Sequence, residues 1–128
     1  MELLNGMEPN SVIRRNALPN LDLITGGRTP PLPAELLMRE RFAHVLDGLR
    51  GSYDYVIIDS PPVLAVTDSG LLGRHAGATL IVARHGFHNA AELRETSRQL
   101  TSAGVQANGV LLTDIPERGM AYGAFSQY

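Results

Sequence analysis

The chain has 128 residues and a formal net charge of −2, with 13 acidic side chains and 11 basic ones, all of them arginine. This near-neutral balance gives no electrostatic basis for binding nucleic acid or an anionic membrane surface. The absence of cysteine excludes disulfides and thiolate metal sites, which fits a cytoplasmic setting. The length fits a single domain, and no apolar run approaches the roughly 18 residues of a membrane span.

The first fifty residues predict a strand followed by a helix that covers a sheet. Residues 1–17 indicate the end of a helix, a turn at Gly6 and a short extended piece. Residues 21–24 form a short strand, closed by glycine and proline pairs. A helix then runs from Pro33 to Gly51 with one apolar stripe. The stripe consists of Met38, Phe42, Val45, Leu46 and Leu49.

The most informative stretch is residues 53–62. Residues 56–58 are apolar at every step, which predicts a strand of a parallel sheet that is buried on both faces. Pro61 and Pro62 cannot continue a ladder, so Asp59 is expected at the carboxyl edge of the sheet, where open α/β sheets bind ligands. Asp59 therefore either makes ordinary turn hydrogen bonds or holds Mg²⁺, directly or through water.

A short helix is predicted after the two prolines. It begins at Thr67 or Asp68 and continues to His75. Asp68 either caps this helix or orients water beside a magnesium ion near Asp59, and the two roles are compatible.

Two further strands with a helix between them complete the pattern. Residues 78–83 form a second buried strand, and the following Arg84 lies at the same sheet edge as Asp59, facing a phosphate, an acidic neighbour or solvent. A capping box of Asn89 and Glu92 starts a helix that ends at Gly104. The last strand covers residues 109–113.

The last thirteen residues, 116–128, form a short polar tail that contains Tyr122 and Tyr128. By composition alone this tail is typical of a frayed terminus.

Residues 56–68, VIIDSPPVLAVTD, closely resemble the Walker B segment of the bacterial tyrosine kinases that accompany capsule and exopolysaccharide synthesis. The similarity extends upstream to LPNLDLITGG and PPLPAELLM, and downstream to RHAGATLIVAR. It implies an α/β fold with a mostly parallel sheet of the P-loop ATPase, partitioning-ATPase-like type. In that fold Asp59 would be the catalytic acid that holds the magnesium of Mg-ATP, with Asp68 and Thr113 near the nucleotide. Thr113 stands where the family usually has an asparagine that resembles an adenine-reading group.

One part of a nucleotide-binding site is missing from this sequence. A Walker A loop needs a lysine for the β- and γ-phosphates, and this sequence contains no lysine. We therefore expect residues 1–115 to be the C-terminal part of a kinase domain without its P-loop strand, inactive alone. The resemblance also implies that residues 116–128 are a flexible tail whose Tyr122 and Tyr128 accept phosphate.

The intact enzyme implied in this way is a homo-oligomer at the inner face of the bacterial membrane. It would be held there by a polysaccharide co-polymerase partner or by an N-terminal membrane segment, and it would not bind nucleic acid. Two alternatives stay open. The chain is a non-catalytic acceptor or regulatory module that docks on a complete kinase, or it comes from a partitioning-type ATPase, which lacks the tyrosine tail.

Overall fold

The computed structural model describes residues 9–26, 33–66 and 68–116. The helices in these ranges are α1 Pro9–Val12, α2 Pro33–Leu37, α3 Glu40–Arg50, α4 Asp68–Gly73 and α5 Ala90–Ser102. The strands are β1 Arg14–Leu18, β2 Leu21–Leu23, β3 Leu80–Arg84 and β4 Gly109–Thr113. Several expectations concern residues outside the described ranges: the turn at Gly6, Gly27, the proline pair at 30–31, Thr67 as a helix start, Tyr122 and Tyr128.

Strands β3 and β4 form a parallel pair, and helix α5 is the connection between them. Their register runs from Leu80 opposite Gly109 to Arg84 opposite Thr113. Ile81, Leu100 and Val105 form a buried cluster that packs α5 against one face of this pair. The two strands and the helix between them are therefore confirmed, although β3 is buried only at alternate residues and not on both faces, and the fold is α/β.

Strands β1 and β2 form a separate antiparallel hairpin. The turn between them contains Asn20 with a φ of 60°, and β1 itself contains Asn16 with a φ of 50°. Asparagine is one of the few residue types that adopts this left-handed conformation readily. The left-handed Asn16 lies in the interval where the register between the two strands shifts.

A second core lies under helices α2 and α3. It contains Leu36, Leu37, Phe42 and Leu46, with the partly buried Ile58, Leu71 and Leu72 against it. The prediction of one helix from Pro33 to Gly51 was wrong, because the chain breaks at Met38 and Arg39. Each helical residue rotates by about 100°, so an unbroken helix would turn Leu36 and Leu37 away from the side that carries Phe42 and Leu46. The break allows both pairs to face the same core.

The predicted buried strand before Asp59 was also wrong. Residues 54–62, which we call the acidic segment, belong to no strand. Tyr55 and Ile57 are 87% and 90% exposed, and only Ile58 packs against the helical core. An apolar run becomes a strand only when a neighbouring strand pairs with it, and none of the described strands does so here.

None of the described helices combines the length and the apolarity that crossing a membrane requires.

Candidate functional site

The acidic segment carries Asp59 on its exposed side. It leaves the end of helix α3 through a turn in which the Tyr53 N–H donates to the Leu49 carbonyl over 3.0 Å. Asp59 follows six residues later, directly before Ser60 and the two prolines. The position of its carboxylate therefore depends on how this extended segment is held.

A hydrogen-bond network holds the start of the acidic segment to the β1–β2 hairpin. The Tyr53 hydroxyl donates to Asp22 Oδ2 over 2.6 Å and accepts from Arg15 Nη1 over 3.0 Å. Arg15 Nη1 also reaches Asp22 Oδ2 at 2.9 Å, and the Asn16 N–H donates to Asp22 Oδ1 over 2.8 Å. The Asp22 side chain is only 16% exposed, so these contacts replace most of the hydrogen bonds that it would otherwise make with water.

The same network shifts two pKa values in opposite directions. The hydrogen bond from Tyr53, followed by the bond from the Asn16 N–H, holds the pKa of Asp22 below its ordinary value of 3.8. The hydrogen bond that Tyr53 donates to the Asp22 carboxylate in turn raises the pKa of Tyr53 above 10.0, because the phenol would lose this bond with its proton, and burial adds to the shift. Both shifts favour the pair in which Asp22 is ionised and Tyr53 is protonated.

A buried serine holds the other end of the acidic segment. The Ser69 hydroxyl donates to the Pro61 carbonyl over 2.5 Å, and Ser69 is 5% exposed. Ser69 lies in the first turn of α4, directly after Asp68, the residue with which this helix begins. The bond therefore joins the turn after Asp59 to the start of the helix that carries Asp68. The predicted short helix is confirmed.

The carboxyl edge of the parallel pair carries a second polar group. The Arg84 Nε donates to Asp114 Oδ2 over 2.7 Å. Arg84 was expected to face a phosphate, an acidic neighbour or solvent, and in the structure it faces the acidic neighbour. The Thr113 hydroxyl donates to the Ala83 carbonyl over 3.3 Å. Thr113 is at the end of β4 as predicted, but within the described ranges no hydrogen bond connects it to Asp59 or Asp68.

The described residues contain no group of three or more histidine, cysteine or acidic side chains arranged to hold a metal ion. Two acids flank the turn at the prolines: Asp59 on the acidic segment before it, and Asp68 at the start of α4, next to Ser69. Magnesium takes one or two protein carboxylates and completes its shell with water and substrate phosphates. Asp59 and Asp68 can supply these one or two carboxylates. The described residues do not form a closed cage made of protein ligands alone.

Sequence reasoning missed Tyr53, Asp22 and Ser69 as parts of this site. Ser69 had a usable signal, since a serine in the first turn of a helix often bonds to nearby backbone. The Tyr53 and Asp22 contact joins residues 31 positions apart, and no local pattern indicates it.

The chain is similar in sequence and in structure to several bacterial tyrosine kinases. No family model matches the chain. It is 42% identical over 118 residues to the tyrosine-protein kinase Wzc of Salmonella typhimurium, and 40% identical over 122 residues to the tyrosine-protein kinase Ptk of Acinetobacter johnsonii. The kinase domain of Escherichia coli Etk superposes on 93% of the chain with a TM-score of 0.85 and 39% identity. The chain is a relative of the bacterial tyrosine kinases.

The relationship covers nearly all of this chain but only part of each relative. The matches include 92% of the chain and 16% of Wzc, and 94% of the chain and 17% of Ptk. Among solved bacterial tyrosine kinase domains, the chain covers 47% of the Etk domain and 48% of the BceF domain, where the TM-score is 0.81. The chain thus spans about half of the solved kinase domains that it resembles.

Proposed function

We propose that this chain is the C-terminal part of an ATP-dependent protein-tyrosine autokinase of exopolysaccharide or capsule synthesis. The observation that carries the proposal is the identity of about 40% to named tyrosine kinases over more than nine tenths of the chain. The α/β fold with its parallel pair β3 and β4 supports a P-loop type of sheet. Residues 1–115 would belong to the kinase domain, and residues 116–128 would form the acceptor tail.

Asp59 has the role of the Walker B acid in this proposal. Its carboxylate would hold the magnesium of Mg-ATP directly or through water, and Asp68 would orient one of the water molecules. Bound magnesium would neutralise the charge that develops on the phosphates during transfer. Thr113 would lie near the nucleotide at the end of β4. The phosphate cradle itself must come from elsewhere, because this sequence has no lysine for it.

Tyr122 and Tyr128 would be the phosphate acceptors in this tail. Each phosphate adds about −1.5 to −2 charges, which would weaken the docking of a tail into an acidic site. The intact protein would be a homo-oligomer at the cytoplasmic face of the bacterial membrane, held there by a co-polymerase partner or its own membrane segment.

Calorimetric titration of the purified chain with Mg-ADP tests the incomplete site. We expect no binding heat at millimolar nucleotide, since Asp59 and Asp68 bind the metal only weakly without a phosphate cradle. Saturable binding by the chain alone would contradict the proposal, because the chain would then hold nucleotide without a Walker A lysine.

The lack of lysine also favours a second candidate function, that of a non-catalytic acceptor or regulatory module. To test it, the chain is mixed with the kinase domain of Escherichia coli Etk and Mg-ATP, and phosphotyrosine is mapped by mass spectrometry. Phosphate on Tyr122 or Tyr128 that is lost in Tyr122→Phe or Tyr128→Phe, but retained in Tyr55→Phe, would support the acceptor role. No transfer would leave the autokinase fragment as the better account.

A further inference from the structure

The acidic segment has an unusual kind of support. Among the described residues, no backbone-to-backbone hydrogen bond involves residues 54–61, and no ladder fixes their direction. Ile58 packs against the helical core, but Tyr55 and Ile57, which precede it, extend into solvent. Packing of one side chain leaves the backbone free to rotate about that point. Other contacts must therefore determine where Asp59 lies.

The contact at the start of the segment is the Tyr53 hydroxyl. It is bonded to Asp22 at 2.6 Å, while the Tyr53 backbone is bonded to the end of α3. The acceptor is itself fixed, since Asp22 receives bonds from Arg15 on β1 and from the Asn16 backbone. One phenol therefore ties the exit from α3 to both strands of the hairpin.

At the end of the segment the Pro62 carbonyl accepts from the Ala65 and Val66 N–H groups at 3.0 and 3.3 Å, and the side-chain contact is the Ser69 hydroxyl. Its acceptor is the carbonyl of Pro61, a proline whose own ring restricts φ and therefore limits rotation just after Asp59. Ser69 is buried in the first turn of α4, so water does not compete effectively for this bond. Asp59 is located between the two contacts and two residues from the nearer one.

We propose that Tyr53 and Ser69 are positioning residues for Asp59, which hold the two ends of a segment that has no ladder of its own. This positioning role rests on the proposed function, in which the Asp59 carboxylate holds the magnesium of Mg-ATP. Neither hydroxyl touches the substrate. Each acts by limiting the directions that the Asp59 carboxylate can take.

The test uses the nucleotide-free chain and compares Tyr53→Phe and Ser69→Ala with two matched controls. Tyr55→Phe removes the phenol oxygen of the tyrosine two residues after Tyr53, which is 87% exposed. Ser102→Ala removes a serine hydroxyl that donates to the Arg98 carbonyl within α5 at 2.9 Å and makes no hydrogen bond to the segment. Backbone ¹⁵N relaxation reports order at residues 57–59, and α5 is the internal reference.

We expect order parameters at residues 57–59 to fall from about 0.8 to below about 0.6 in each test variant, with α5 and both controls unchanged. A protease that cuts before aspartate should cleave at Asp59 about five-fold faster relative to Asp47, as the loss of one hydrogen bond predicts. Asp22→Asn, which keeps a carbonyl oxygen for Tyr53, should retain order, and Asp22→Leu should lose it. That rescue separates the hydrogen bond from the mere presence of a side chain.

Unchanged order at Asp59 in Tyr53→Phe and in Asp22→Leu would overturn the positioning role of Tyr53. Equal behaviour of Ser69→Ala and Ser102→Ala would overturn that of Ser69, and if Ser69→Ala does not fold, the Tyr53 and Asp22 variants still decide. The measurement contains no nucleotide. Saturable Mg-ADP binding by the chain alone, together with the expected loss of order, would therefore reject the proposed function alone, whereas no binding heat together with unchanged order would reject only the positioning.

Discussion

At the scale of single residues, two glycines allow helix α4 to lie close to the chain that follows α5. A Cβ on Gly70 would lie 2.7 Å from the Ala103 Cβ, and one on Gly73 would lie 2.8 Å from Val105 Cγ1. Val105 is 5% exposed and branched at Cβ, so it cannot move aside easily. These close approaches fix the position of α4, in which Ser69 lies directly before Gly70 and within reach of Pro61.

Gly73→Ala should destabilise the chain by about 1–3 kcal/mol through overpacking against Val105. Gly48→Ala in helix α3 is the control, because nothing lies within 4 Å of its new Cβ. Alanine is the better helix former, so that control should stabilise by about 0.5–1 kcal/mol. Urea unfolding measures both changes, and the same sign for the two variants would contradict the close packing of α4.

A pH effect is expected from one carboxylate on α5. Arg98 donates to both oxygens of Glu95 at 2.8 and 2.6 Å, and Gln99 adds a bond of 3.1 Å. Together, with Arg98 as the larger cause, they lower the pKa of Glu95 from 4.5 to about 2. Because the folded pKa is the lower one, the stabilising contribution is complete above pH 4.5 and is lost as the pH falls towards 2.

An NMR titration of the Glu95 side-chain carbonyl measures this pKa directly. Arg98→Gln should return it towards 4.5, and Gln99→Ala should raise it less, since its bond is the smaller cause. A larger rise in Gln99→Ala would show that the arginine fork is not the main partner.

At the scale of secondary-structure elements, α5 and α3 begin in opposite ways. Asn89 caps α5 by accepting from the Ala91 and Glu92 N–H groups at 2.9 and 3.0 Å, and Glu92 returns a bond to the Asn89 N–H. Arg39 has the extended N-cap backbone before α3, with a ψ of 144°, but its side chain makes no capping bond. The first N–H groups of α3 therefore lack the side-chain acceptor that α5 has.

Arg39→Asp should stabilise the chain by about 0.5–2 kcal/mol, because the new carboxylate can accept from these N–H groups and lies at the positive end of the helix. Asn89→Ala should cost a similar amount, and Asn89→Asp should be close to neutral. Urea midpoints measure all three. An Arg39→Asp variant no more stable than the parent chain would mean that the break at Met38 and Arg39 is not the start of a new helix.

The elements that local patterns predicted well are those whose stabilising contacts are local. The capping box of α5 and the left-handed Gly104 after it, with a φ of 79°, could be predicted from a few residues. The break at Arg39 could not, because it results from two apolar pairs sharing one distant core. The acidic segment has an apolar sequence typical of a strand, but a ladder depends on a neighbour that the segment itself does not encode. The roles of Asp59, Asp68 and Thr113 stay predictions that rest on the resemblance.

At the scale of the whole molecule, the parallel pair is largely uncovered, since β3 is buried on one face only and β4 is exposed along most of its length. Ile81 and Ala83 are buried beside α5, but Leu80 and Val82 on the opposite face are 61% and 62% exposed, and Leu111 of β4 is 53% exposed. Parallel sheets are normally covered on both faces, and an unpaired edge is a template for another strand. A net charge of only −2 opposes association weakly.

We therefore expect this chain in isolation to self-associate as its concentration rises, with the open face of β3 and β4 at the contact. Val82→Glu should reduce the association measured by sedimentation velocity, because it places a charge where apolar surface would be buried. Phe87→Glu is the control, since Phe87 is 74% exposed but lies in the loop after β3. Equal effects of the two variants would assign the association to general surface apolarity. A monomer at all accessible concentrations would mean that this face is too small to bind a second copy.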